Sequence, residues 1–252
     1  MTTRSVAMTA SRSATTRRPR ARWLAPVGLI LLSLIPVLAG AARLTEVTGG
    51  AVITAGNARF LDSPVAVITH IVSATIFSLV GAFQFVPALR RRGGWHRLAG
   101  FVLIPAGLLA ALSGLWMSVF YPHPPGDGLA LVVLRLIFGC AMVASILLGV
   151  RAIARRDFIR HGEWMTRAYA IGVGAGTQAI VLIPESIVFG STNELYRAVF
   201  MGAAWLINLA VAELVIRRGA RSGRTAPEPR PARTAQFRAA GGGDRPGRAR
   251  VG

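Results

Sequence analysis

Six long apolar stretches, separated by short polar segments, organise the chain: Trp23–Ala42, Val65–Leu89, Leu98–Phe120, Leu129–Val150, Ala168–Phe189 and Leu195–Ile216. A bilayer's hydrocarbon core takes about 20 apolar residues of helix to cross, and all six stretches reach or approach that length. Backbone amides and carbonyls meet no water in lipid, so segments this long must pair their own polar groups as helices. None alternates with the two-residue period of a barrel strand. The expected fold is all-α, a polytopic transmembrane helical bundle of about six spans.

The polar segments orient those spans. Six arginines precede Trp23. Arg90, Arg91, Arg92 and Arg97 join spans two and three, and Arg151, Arg155, Arg156, Arg160 and Arg167 join spans four and five. Ten more follow Ile216, which makes 25 on one side against Arg43, Arg59 and Arg197 on the other. Positive loops stay inside, so both termini and both basic loops are expected in the cytoplasm of a bacterium, with the spans in its plasma membrane. The chain then divides into a basic cytoplasmic segment (1–22), a first transmembrane helix (23–42), a five-helix membrane domain (65–218) and a cytoplasmic tail (219–252). Basic, apolar and small residues in that order also make a signal peptide, here ending Ala39-Gly40-Ala41-Ala42. The apolar stretch is long for one and holds Pro26 and Pro36, which favours a retained helix. The tail is rich in Arg, Pro, Gly and Ala with few large apolar residues. It is expected to be disordered, because it has no core to bury.

Composition agrees: 53% of residues are hydrophobic and 15% charged. The formal charge of +19 consists wholly of arginine excess, since no lysine occurs. Those arginines lie between apolar runs, so anionic lipids and not nucleic acid are the expected partner. The single cysteine, Cys140, excludes an internal disulfide and a cysteine-based metal cluster. No P-loop, dinucleotide fingerprint or nucleophile elbow is present, and no catalytic residue is assigned.

Chemistry concentrates in two places. Ionisable groups inside spans are costly and are functional candidates: His70, Arg135 and Glu185 all fall near the exterior ends of their helices. They are expected to converge, with Glu185 neutralising Arg135 and His70 hydrogen-bonded nearby, either as a polar path or as a lock on helix packing. His123, in the turn Tyr121-Pro-His-Pro-Pro-Gly-Asp-Gly128, reads as an exposed turn residue. Glu213 has a local partner in Arg217, or alternatively Arg97 or Arg167.

At the opposite face, Gly94-Trp95-His96-Arg97 and Arg160-His161-Gly162-Glu163-Trp164-Met165-Thr166-Arg167 each open a span. Below His96 a helical stripe runs Gly100, Leu103, Gly107, Ala110 and Gly114; below His161 it runs Met165, Ala168, Gly172, Ala175 and Ala179. Small residues permit close helix packing. They also leave room for a flat cofactor, so one reading is haem b with His96 and His161 as axial ligands and Arg97 and Arg167 on its propionates. A second is zinc on His96, His161 and Glu163. A third has no cofactor: Trp95 and Trp164 anchor at the interface and the histidines bond loop carbonyls.

Several of these motifs together, His70, Gln84-Phe85, Leu89-Arg90, His96-Arg97-x-x-Gly100, His161-x-x-Trp164-Met165-x-Arg167, Trp205, Asn208 and Ala212-Glu213, resemble those of the bacterial membrane family DUF2306 (domain of unknown function). The likeness runs from about Val65 to Arg218. It implies a multi-helix membrane domain and names no activity. A looser likeness is to transmembrane di-haem b-type cytochromes, whose paired histidines lie deeper in a four-helix core. Three functions follow as expectations. The first is electron transfer through a haem at His96 and His161, to or from a quinone or a protein partner. The second is transport or small-ligand binding at His70, Arg135 and Glu185. The third is a structural role in a membrane complex.

Overall fold

A computed structural model describes residues 23–86, Leu89, 93–124, 126–188 and 193–224. The basic N-terminal segment, Arg90, Arg91, Arg92, Phe189 and the tail beyond Arg224 lie outside the described residues. Everything regular among the described residues is helical. The elements are α1 (Leu24–Thr48), α2 (Ala58–Asp62), α3 (Pro64–Phe83), α4 (Gly93–Phe120), α5 (Leu129–Ala154), α6 (Phe158–Gly172), α7 (Gly174–Val188) and α8 (Glu194–Arg224). Five of them, α1, α3, α4, α5 and α8, are long and apolar enough to cross a membrane. Chain contacts separate Met1–Ile216 from Arg217–Gly252. In the second unit the described residues, 217–224, are helical.

Local chemistry sets the helix ends. Pro64 opens α3, where its missing N–H costs nothing and its fixed φ suits the first turn. The helix stops at Phe83, earlier than the apolar run suggests, and Gln84, Phe85 and Val86 form turns that bond to Gly81, Ala82 and Phe83 carbonyls. Pro87 follows, and a proline disfavours helical geometry in the residue before it. Asp157 caps α6 by accepting from the Arg160 amide at 3.0 Å. Asn193 caps α8 by accepting from the Leu195 and Tyr196 amides, both at 3.1 Å, in the manner of an N-cap side chain.

The fifth expected span is not one helix. It breaks at Val173 into α6 and α7, each 15 residues long. Three glycines mark the break, and each admits something close. A Cβ on Gly172 would stand 2.7 Å from the Phe77 ring and one on Gly174 2.5 Å from the Trp205 indole. Gly176 lies against the Leu32 carbonyl of α1. That carbonyl has lost its helical donor because Pro36 sits four residues later, so the missing Cβ leaves room for a weak Cα–H···O contact. Asn208 of α8 repairs the interruption: its amide donates to the Ala170 carbonyl at 3.1 Å, and its oxygen accepts from the Thr177 hydroxyl at 2.8 Å. Broken backbone at membrane depth is tolerated where protein side chains satisfy it in this way.

Helix α3 packs on α4, α4 on α5 and α5 on α6, while α1 lies against α3 and α7. The core is built from Phe77, Leu103, Phe138, Met142, Ile146 and Tyr169, with Trp205 stacked on Phe138 at 4.6 Å. The outward faces carry bare Leu, Ile, Val and Phe. That is the arrangement expected when the surrounding solvent is hydrocarbon and burial gives helices no hydrophobic advantage.

Candidate functional site

A half-open cavity of about 390 Å³ is lined by residues of α2, α3, α4, α5, the broken pair α6/α7 and α8. Its deep part is apolar, walled by Phe77, Phe138, Met142 and Trp205. Towards the α2 end its lining becomes polar, with Arg59, Tyr121, His123, Asp127 and Arg135. His70 stands in the wall, and so does Gln178. His70 also borders a second, smaller cavity of about 100 Å³ beside α1, and Ala74, Gly172 and Ala175 are shared by the two.

The His70 ring is held in one tautomer. Its Nδ1 lies 2.9 Å from the Ala110 carbonyl and 3.3 Å from the Ser113 hydroxyl. A carbonyl only accepts, so Nδ1 carries the proton and Nε2 the lone pair. Gly114 makes space for the ring, since a Cβ there would sit 3.2 Å from His70 Cε1.

At the polar end Asp127 is the hub. Its side chain is 2% exposed, and its two oxygens take Arg135 Nη2 at 2.7 Å and Arg197 Nε at 2.9 Å. One carboxylate thus ties the loop after α4 to α5 and α8. Arg59 belongs to the same end but to no ion pair within 4 Å among the described residues. Its guanidinium lies over the Phe60 ring at 4.6 Å and reaches the Pro122 carbonyl at 3.4 Å. Burial lowers the Arg59 pKa; Asp127 acts against that shift, and the Arg43 and Arg135 charges add to it.

The arrangement differs from the expected triad. His70 and Arg135 do line one cavity, but the carboxylate on Arg135 is Asp127 and not Glu185. Glu185 is 1% exposed, its Oε1 has no hydrogen-bond partner among the described residues, and it is not part of the cavity lining. A signal for Asp127 was available: it is the only acid between Asp62 and Asp157. Its glycine-flanked turn carries no periodicity to draw attention to it. His123, read as an exposed turn residue, is exposed, yet it borders the cavity and its Nε2 lies 3.2 Å from the Ser118 carbonyl.

At the other end the histidine motifs fasten helix ends together. His96 Nδ1 bonds Gln84 Oε1, joining α4 to the turn after α3. His161 Nδ1 donates to the Gly149 carbonyl at 2.9 Å, joining α6 to α5. Arg167 grips Glu213 with Nε at 2.6 Å and Nη2 at 3.2 Å and lies over Trp164 at 4.8 Å, joining α6 to α8. Of the partners weighed for Glu213, the structure therefore shows Arg167. Arg97 is exposed. No three His, Cys, Asp or Glu side chains converge as metal ligands among the described residues, so the zinc set of His96, His161 and Glu163 is not assembled.

The small-residue stripes do admit a flat ring, but it belongs to the protein. Phe77 lies against both Gly107 and Gly172, where a Cβ on either would stand 2.7 Å from its ring. The stripe below His161 is moreover cut at Val173, so Ala175 and Ala179 sit on α7.

Residues 67–216 match the family described as predicted membrane protein (DUF2306). No curated protein and no solved structure matches the chain.

Proposed function

The chain belongs to the DUF2306 family of predicted membrane proteins, and from that premise we propose that it is a small-ligand-binding protein whose site is the His70 cavity. The observation that carries this reading is a half-open cavity of about 390 Å³ with an apolar part and convergent polar groups at one end. Ligand sites fall at about 300–1,000 Å³ and have that character. The broken helix beside the cavity adds support, because interrupted helices in membrane proteins occur where they line a cavity. The positive-inside rule places the Arg59–Asp127 end on the outer face of a bacterial plasma membrane with both termini inside, so a ligand would enter from outside or from the outer leaflet.

The test uses the purified protein in phosphatidylcholine nanodiscs with a neutral brominated alkane as probe. Trp205 lines the cavity, so its emission should be quenched saturably, measured as the difference between wild type and Trp205→Phe. Ala111→Phe, which fills the wall, should abolish the saturable part while circular dichroism stays unchanged. Equal saturable quenching in wild type and Ala111→Phe would sink the reading.

A second reading rests on the two histidine rings. The His161 ring has Nδ1 on the Gly149 carbonyl, which gives its Nε2 the lone pair, the usual arrangement around metal-bound histidine, and His96 Nδ1 lies on Gln84 Oε1. Haem b on His96 and His161 would supply one-electron chemistry, with a quinone or a protein as partner. The fit is partial, since Arg167, assigned to a propionate, already has a carboxylate, and Phe77 fills the gap between the stripes. Visible spectra of haem-supplied protein before and after dithionite reduction decide it: no Soret band sensitive to His161→Ala removes this reading.

A further inference from the structure

Resting on the cavity reading, we propose that the ligand is an amphipathic anion: an apolar chain or ring system with one carboxylate or phosphate head, the head at Arg59 and the body between Phe77, Phe138, Met142 and Trp205. Among the residues that line the cavity, Arg59 and Arg135 stand with one carboxylate, Asp127, and both of its oxygens are taken, by Arg135 and by Arg197; Glu194, whose carboxylate lies against Gly128, is not in the lining. Among the described residues Arg59 is left with an aromatic face and one long contact to a carbonyl, though it lines the cavity. A guanidinium carries five donors in a planar fork that suits a carboxylate or a phosphate. A cationic head would meet like charge there, and a neutral one would forgo the charge-assisted hydrogen bond.

The deep lining argues for the other half of the molecule. Phe77, Phe138, Met142 and Trp205 present no charge, and Gln178 Nε2, of the same lining, already reaches the Met201 carbonyl at 3.4 Å. Polarity therefore runs in one direction, from a cationic end to an apolar floor, and the ligand that matches it has its charge at one end only. The glycine and alanine walls, Ala110, Ala111, Gly114 and Gly139, suit a slender body. Two sources share this chemistry: a free single-chain amphiphile, and the headgroup and proximal chain of an anionic membrane lipid.

The experiment is competition against the brominated probe in phosphatidylcholine nanodiscs. Decanoate and decyl phosphate should displace it about 10- to 100-fold better than decanol, the range expected of a charge-assisted hydrogen bond, and decyltrimethylammonium least well. Arg59→Gln should remove the difference between decanoate and decanol, and Arg59→Lys should restore part of it. Displacement by phosphatidylglycerol placed in the nanodisc would assign the anion to lipid; its failure alongside success of decanoate would assign it to a free amphiphile. Saturable probe binding with equal displacement by decanoate and decanol would overturn the anion while leaving the cavity reading standing. Absence of saturable binding, or indifference to Ala111→Phe, would overturn the cavity reading itself.

Discussion

Asp127→Asn should destabilise the fold more than any other single charge change among the described ion pairs. The Asp127 carboxylate is 2% exposed and takes two guanidiniums, at 2.7 and 2.9 Å, whose own side chains are each 27% exposed. Breaking a fully buried pair costs about 3–5 kcal/mol, whereas an exposed pair is worth about 0.2–1 kcal/mol. Arg135 and Arg197 regain some water when released, so the loss should lie between, at about 2–3 kcal/mol. For a chain of this size that corresponds to a Tm lower by about 4–12 °C, read by intrinsic tryptophan fluorescence of the detergent-solubilised protein. The pairwise character is tested by Arg197→Gln alone and combined with Asp127→Asn. Groups in one ion-pair network couple by about 0.5–3 kcal/mol, so the double variant should lose less than the two single losses added together. A fall of less than about 2 °C for Asp127→Asn, or strict additivity, would refute the hub.

Three further outcomes are expected. Gly174→Ala places a Cβ 2.5 Å from the Trp205 indole and should cost about 1–3 kcal/mol as overpacking, with a shifted Trp205 emission; an unchanged Tm and spectrum would contradict the close approach at the helix break. Asn208→Leu removes the donor on Ala170 and the acceptor for Thr177 and should cost about 0.6–1.7 kcal/mol, the range for interhelical hydrogen bonds in membranes; Thr177→Val in the same background should then be nearly silent. Burial raises the pKa of Tyr121, outside the spans, so the folded state holds the phenol proton more tightly than the unfolded one. Its contribution is complete below a pH of about 10 and is lost as pH rises through the folded-state value. Tyr121→Phe, which also loses the bond to the Ser63 carbonyl, should have a lower Tm at neutral pH and a flatter alkaline profile, and an identical alkaline fall in both proteins would assign the titration elsewhere.

Much of the architecture was legible as local sums along the chain. Five of the six apolar runs each hold one continuous membrane-length helix, with ends up to eight residues from those expected, because hydropathy and backbone self-pairing act segment by segment. The sixth shows where local reading stops. Gly172, Gly174 and Gly176 are individually ordinary in a membrane helix, and only the Phe77 ring, the Trp205 indole and the Leu32 carbonyl arriving from three other helices turn them into a break. His70 and Arg135 were recognisable because an ionisable group in a span is costly wherever it occurs. Asp127 was not, because a turn residue pays no such cost until two arginines close on it.

The order of hydrophobic and arginine-rich segments by itself determined that this is an all-helical membrane protein and which residues are candidates for its chemistry. Tertiary structure alone decided the partners: Asp127 rather than Glu185 for Arg135, Glu213 for Arg167, Phe77 for the glycine stripes, and a cavity whose polar end, among the described residues, leaves Arg59 without a paired carboxylate. The physical reason is range. Transfer into hydrocarbon is a property of each segment, whereas an ion pair, a tautomer or a cavity exists only once distant helices have packed and chosen which side chains share the same few ångströms.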